Sequence, residues 1–295
     1  MTIAARFVKL IGRISPSPRD NLIYRVHENT VRRRLETAFQ ANRVARIGSY
    51  ARGSAIRATS DIDLMLILKR DEVRRGESWK TSTTVLGHVR DELLSRYPRT
   101  DVVRDVHAVV VRFADNQHPV DVVPAFYWQH GGVKNYPIYM IPDGDGGWMP
   151  TSPYAHNKFI KEADERSRGK LMRVARLVKF WRRCREPHIP LNSFHLEMLL
   201  AAEDICSGPK SYAVCFNNAL AALANSEGRA LRDPLGISGL IPAAGTEDKR
   251  QKVQAATGSS AGHAYKAISA EIQGRIDEAI RQWDIVFNYE FPKTL

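Results

Sequence analysis

Three cysteines in 295 residues leave little room for cysteine-based architecture. Cys184, Cys206 and Cys215 are odd in number and lack the paired spacing of a zinc ribbon, so neither a disulfide scaffold nor a thiolate metal site is expected. Free thiols suit a reducing compartment, and the expected location is cytoplasmic. No stretch approaches the roughly 20 apolar residues of a membrane helix, so no membrane span is expected. The apolar N-terminal patch is cut by Arg6, Lys9 and Arg13, which argues against a signal peptide. There is no internal repeat and no low-complexity tract. Acidic residues are the scarcer charge, 32 Asp+Glu against 44 Lys+Arg, for a formal net charge of +12. Such a balance favours polyanions: nucleotides, RNA or DNA. Yet no aromatic-interleaved basic stretch accompanies the Arg32-Arg33-Arg34 and Arg182-Arg183 clusters, and arginines on helices ordinarily form a solvated face.

What is present is concentrated in residues 47–68, IGSYARGSAIRATSDIDLMLIL. Along an extended strand side chains alternate, so Asp61 and Asp63 share one face while Ile62 and Leu64 share the other. Two carboxylates side by side repel unless a cation lies between them. Mg2+ suits the position, because it takes hard oxygen ligands and commonly shares its shell with substrate phosphates. The run Leu64 to Leu68 is apolar on both faces and predicts a buried central strand. Upstream, Val44 to Ile47 reads as a strand ending at Gly48-Ser49. Glycine permits close backbone approach to a phosphate, and successive amides in such a turn form an anion-holding concavity. Arg52 and Arg57 bring positive charge to the same loop.

A two-metal site, with ions about 3.5–4 Å apart, needs a further acid. Asp121 is the candidate, set among Val120, Val122 and Val123 in a strand-forming stretch. It follows the apolar stretch Val106 to Phe113, with Asp115-Asn116 reading as the intervening turn. A second Asp-x-Asp, Asp143-Gly-Asp145, is flanked by glycines and prolines. It reads as a mobile loop able to cover substrate, with Trp148 or Tyr136 as base-stacking candidates.

The set GS…SDIDL…VDVVP resembles the polymerase-β-type nucleotidyltransferase core. More narrowly, GSYARGSAI followed closely by SDIDL resembles the CD-NTases, the bacterial relatives of cyclic GMP-AMP synthase. The resemblance implies that Gly48 and Ser49 hold a donor triphosphate. It also implies that Asp61, Asp63 and Asp121 hold two Mg2+, with Mn2+ as a substitute. The family often has Thr where this chain has Ser54, which keeps the hydroxyl.

Leu171, Val174, Leu177, Val178 and Trp181 recur at helical spacing among Arg173, Arg176, Lys179, Arg182 and Arg183, predicting one long basic helix over 157–185. Pro187 and Pro190 end it. Asn192-Ser193 then occupies the N-cap region of an apolar helix over 194–205. In the family a helical Lys and a Ser opening the next helix contact the donor triphosphate, which implies those roles for Lys179 and Ser193, with Arg176 competing for the former.

The expected fold is α/β (α+β): a polymerase-β-like core with a mixed sheet packed on a helical C-terminal lobe. The expected domains are residues 1–155, with a bracing helix near 22–40, and 156–295, with catalysis in the cleft between them. The resemblance implies synthesis of a cyclic di- or trinucleotide second messenger from nucleoside triphosphates, in a bacterial antiphage system of CBASS type. A separate effector protein would read the product, and a nucleic-acid activator is left open. The competing readings are a template-independent RNA- or tRNA-tailing nucleotidyltransferase, a transferase acting on a protein or small molecule, and a non-catalytic nucleic-acid-sensing module on the same fold.

Overall fold

The computed structural model describes residues 2–39, 41–57, 60–114 and 118–293. The turn expected at Asp115-Asn116 lies outside the described residues. Two compact units partition the chain. One comprises Pro16–Asn157 with Leu235–Ser238; the other comprises Met1–Ser15, Lys158–Pro234 and Gly239–Leu295. The first helix, α1 (Ile3–Ile14), thus counts with the second, helical unit.

The first unit carries a seven-stranded mixed sheet. Its strands are β1 (Ala41–Arg46), β2 (Ile62–Leu68), β3 (Asp101–Arg104), β4 (Val109–Arg112), β5 (Val120–Gly131), β6 (Tyr136–Pro142) and β7 (Trp148–Thr151). The spatial order is β1-β2-β5-β4-β3, with β6 added to the distal half of β5 and β7 to β6. The β2–β5 pair is parallel and the other pairs are antiparallel. As its two-sided apolar sequence predicts, β2 is central and buried. Ile62, Leu64, Leu66 and Leu68 face a core shared with Val31 and Leu35 of α2 (Pro18–Ala38). Met65 and Ile67 face the other way, onto Ala125. The helix expected near 22–40 is α2; it starts earlier because Ser17 and Asp20 form a capping box and Pro18 preorganises the first turn. A short helix, α3 (Gly48–Arg52), follows β1, and α4 (Ser82–Arg96) packs Val85, Val89 and Leu93 onto the same core.

In the helical unit the single long helix expected over 157–185 is two helices, α5 (Pro153–Arg166) and α6 (Lys170–Arg183). Arg168 (φ 57°) and Gly169 (φ 76°) are left-handed, which ends α5. The Ser167 hydroxyl accepts from the amides of Lys170 (3.2 Å) and Leu171 (3.0 Å), which starts α6. α7 (Ser193–Ala202) is capped by Asn192, whose side chain accepts from Phe194 N and His195 N, so Ser193 is its first residue. α8 (Tyr212–Asn225), α9 (Glu247–Ile272) and α10 (Ile276–Val286) complete the unit. Phe7, Phe216, Trp283 and Phe287 pack edge-on or tilted at its centre. Among the described residues no helix is long and apolar enough to cross a membrane.

Candidate active site

Asp63 and Asp121 are direct register partners across the parallel β2–β5 pair. Paired residues on neighbouring strands point to the same face of a sheet, and Asp61, two residues before Asp63, continues that line. Rigid strands buried on their far side therefore hold the acids. The electrostatic cost is visible at Asp121. Burial, then the charges of Asp61 and Asp63, push its carboxyl up to about 8. Among the described residues no group of three or more His, Cys, Asp or Glu side chains is placed to hold a metal ion. Asp61, Asp63 and Asp121 supply hard carboxylate oxygens. Their donor set fits Mg2+, and mutual repulsion of three carboxylates on one face is the strain that a cation relieves.

The glycine of the Gly-Ser pair meets the same acids. Gly48 is left-handed (φ 68°), and a Cβ added there would lie 1.8 Å from Asp63 Oδ2. Only a residue with no side chain lets α3 begin against that carboxylate. Ile47 N donates to Asp63 O (2.9 Å), so the start of α3 is tied to β2 by backbone. Ser49 sits in the first turn of α3, half-buried, and left-handed Gly53 (φ 79°) closes the helix as Ser54 N donates to Ser49 O. Arg57 pairs with Asp20 at the start of α2 (3.3 Å), and Arg52 donates to Asn157 Oδ1 (3.2 Å). Both arginines thus anchor the loop to its surroundings. One residue unassigned by sequence reasoning joins these parts. His118, 2 % exposed, stands three residues before Asp121 and reaches both Ser60 and Tyr50. Its only sequence signal is His-Pro ahead of a strand.

Gly48, Ser49, Asp61, Asp63 and Asp121 are all in the sheet-bearing unit; Arg176, Lys179 and Ser193 are in the helical unit. Lys179 is 3 % exposed and forms an ion pair with Glu197 of α7, itself fully buried. Arg176 is half-buried and donates to Ser15 Oγ (3.2 Å); burial, then Arg173, lowers its pKa. Ser193 is half-buried at the head of α7. The two proposed base-stacking aromatics have packing roles instead. Trp148 donates its indole N–H to Lys80 O (2.9 Å) and sits edge-on to Phe126, while Tyr136 is buried beside Tyr154. The Asp143–Gly147 segment is a tight hairpin turn in which Asp143 Oδ1 accepts from the amides of Asp145 and Gly147.

A family model described as the Second Messenger Oligonucleotide or Dinucleotide Synthetase (SMODS) domain matches residues 1–164. The chain belongs to this family. Membership makes it an enzyme of the nucleotidyl-transfer class. It is similar to a probable cyclic nucleotide synthase of Bacillus cereus (strain VD146), 26% identical over 278 residues, covering 83% of this chain and 81% of the relative. It is also similar to the cyclic AMP-AMP-AMP synthase of Escherichia coli (strain MS 115-1), 27% identical over 169 residues, 55% of this chain and 50% of that one. Among solved structures, CdnC of E. coli MS115-1 in complex with HORMA-deltaN superposes with a TM-score of 0.74 at 20% identity, covering 98% and 96% of the two chains. Apo DncV of Vibrio cholerae superposes with a TM-score of 0.72 at 10% identity, covering 96% and 93%. At these identities the superpositions show a shared fold, the polymerase-β-like mixed sheet with a helical C-terminal part.

Proposed function

We propose that the protein is a Mg2+-dependent nucleotidyltransferase that makes a cyclic di- or trinucleotide second messenger from nucleoside triphosphates. Its setting would be a CBASS-type antiphage system of the bacterial cytoplasm, with a separate effector reading the product. The observation that carries this reading is the register pairing of Asp63 with Asp121, with the Gly48 backbone set against the Asp63 carboxylate. The sheet fixes two acids side by side, and the backbone of the glycine turn beside them is suited to hold phosphate. Relatives named as a probable cyclic nucleotide synthase and a cyclic AMP-AMP-AMP synthase support cyclic products, and CdnC with ATP and CdnG with GTP are structural neighbours.

In this reading Asp61, Asp63 and Asp121 hold two Mg2+, which would activate the attacking hydroxyl and offset charge on the leaving group. The Gly48–Ser49 backbone and the Ser49 hydroxyl seat the donor triphosphate. A hydroxyl of the acceptor nucleotide attacks the donor α-phosphate and pyrophosphate leaves; the step repeats until the ring closes, one transfer and one pyrophosphate for each nucleotide in the product. Lys179, Ser193 and Arg176 are the proposed contacts to the triphosphate in the helical unit. For Lys179 the role requires that the ammonium serve Glu197 and phosphate together or exchange one for the other.

The test is incubation with all four nucleoside triphosphates in Mg2+ or Mn2+, with and without RNA, and mass spectrometry of phosphatase-resistant products. A cyclic product without RNA supports the reading, and its loss in Asp61→Asn/Asp63→Asn with the fold intact assigns it to these acids. Extension of RNA alone would replace it with the tailing activity. Absence of turnover under every condition would favour a nucleic-acid-sensing module.

A further inference from the structure

We propose that His118 is a positioning residue that locks the Gly-Ser helix to both acid-bearing strands; the inference rests on the nucleotidyltransferase reading above. The ring Nδ1 of His118 lies 3.2 Å from the carbonyl of Ser60, the residue before Asp61. The same nitrogen lies 3.4 Å from the hydroxyl of Tyr50, on α3 one residue past Ser49. Through its own backbone His118 leads by way of Pro119 into β5, where Pro119 O accepts from Ile62 N (2.8 Å) between Asp61 and Asp63. One side chain therefore touches the phosphate-holding helix and the segment entering the first acid strand, while its main chain begins the second.

The protonation of the ring follows from its partners. A carbonyl only accepts, so the Ser60 contact requires the hydrogen on Nδ1. The Tyr50 oxygen then shares that hydrogen as a second, weaker acceptor. Burial, followed by the Asp20 and Asp61 charges, pushes the Tyr50 hydroxyl up to about 12, so it keeps its own proton. Nε2 is buried and has no hydrogen-bond partner among the described residues. An unpaired buried nitrogen costs stability, and a residue present only to fill space would not need one. The backbone is also unusual: His118 is left-handed at φ 42°. Non-glycine residues seldom adopt that region, and Asn, Asp and His do so more often than the rest. His27 holds it there, its Nδ1 3.2 Å from His118 O and its ring stacked on Phe113 (4.1 Å between centroids). The loop is also tied by Ile56 N to Ser60 Oγ (2.9 Å), Arg57 to Asp20 (3.3 Å) and Arg52 to Asn157 (3.2 Å). His118 bridges α3 to the strand lead-in by side chain.

Amide substitutions separate this role from space filling. Asn sets an N–H donor near the Nδ1 position and tolerates a left-handed backbone, whereas Gln sets its donor near Nε2. His118→Ala and His118→Gln should lower kcat about tenfold with KM for the triphosphate changed less than about threefold, and His118→Asn should recover most of kcat. In amide exchange, protection over residues 49–57 should fall about tenfold in the Ala and Gln variants and stay near wild type in Asn. Wild-type kcat in His118→Ala, or Asn behaving like Ala, would overturn the proposal. The exchange arm reads the lock without turnover. If wild type makes no product, the catalytic reading fails, and unaltered exchange in His118→Ala would remove the lock as well.

Discussion

Replacing Gly48 with Ala puts a methyl group where the Asp63 carboxylate now sits, and the outcome can be worked from two separate costs. The first is conformational: a non-glycine residue at φ 68° costs about 1–2 kcal/mol. At about 2–4 °C per kcal/mol, that lowers the unfolding midpoint by several degrees. The second is steric. The added Cβ would lie 1.8 Å from Asp63 Oδ2, so reaching van der Waals distance demands withdrawal of the carboxylate, or retreat of α3, by roughly 1.5 Å. A misplacement of about 1 Å at a reacting centre can cost about 100-fold. Gly53 supplies the control, because it is equally left-handed (φ 79°) but has nothing within 4 Å of the added Cβ. Both variants should melt lower than wild type, with Gly48→Ala the lower. Gly48→Ala should lose about 100-fold in the initial rate of pyrophosphate release, whereas Gly53→Ala should stay within about threefold of wild type. Equal rates in the two variants would refute the claim that Gly48 is glycine on account of Asp63.

Asp121→Asn should melt higher than wild type in EDTA, because it relieves like-charge repulsion at a buried position, and should lose the Mg2+-dependent rise in midpoint that wild type shows; a preserved rise would exclude Asp121 as a ligand. Glu197→Gln should destabilise the fold by about 3–5 kcal/mol in urea unfolding, since it removes the carboxylate paired with the buried Lys179 ammonium, and Lys179→Met with Glu197→Leu should recover most of it. A rise in KM for the triphosphate in Lys179→Ala that Glu197→Gln lacks would assign Lys179 to substrate; an unchanged KM would move that role to Arg176. Glu28 gives a pH signature: burial raises its pKa, but hydrogen bonds from Arg46 and Arg32 outweigh this and hold it below its ordinary 4.5. Its share of stability is complete above the unfolded value and fades as pH falls through the lower folded one, so acid unfolding of Glu28→Gln should show a shallower slope below about pH 4.5.

The parts of the site that were legible in the sequence are those whose chemistry is local. Asp61 and Asp63 are two residues apart, and period-two geometry alone puts them on one face. The Gly-Ser turn and the apolar run of β2 are contiguous with them. Asp121 is 58 positions from Asp63, and its valine neighbours indicated a strand but not the parallel register that sets the two carboxylates side by side. The misread parts depend on contacts that no short window encodes. The run Asp164 to Lys170 holds no apolar side chain, so periodicity does not carry one helix across it; the break falls at Arg168-Gly169 and is made by backbone hand and the Ser167 hydroxyl. Trp148 and Tyr136, aromatic and next to a glycine loop, looked available for a base until Phe126, Lys80 O and Tyr154 accounted for them. Lys179 reads from sequence as one cation on a basic face; its ion partner Glu197 lies 18 positions on, in α7, beyond any helical repeat.

The Lys179–Glu197 pair bears on mechanism. A lysine sealed against a carboxylate is poorly placed to capture a triphosphate from solvent, because its charge is already neutralised and its desolvation already offset. A phosphate arriving beside the pair would compete with Glu197 for one ammonium. The competition is favourable only where Glu197 keeps another donor or takes up a proton. Substrate affinity in Glu197→Gln is therefore the informative quantity. If Lys179 serves the triphosphate, removing its competing carboxylate should tighten binding even as the fold weakens. If the pair is purely structural, stability should fall and affinity should stay where it was. Opposite signs for affinity and stability in one variant are not produced by general loosening of the helical unit, which would weaken both.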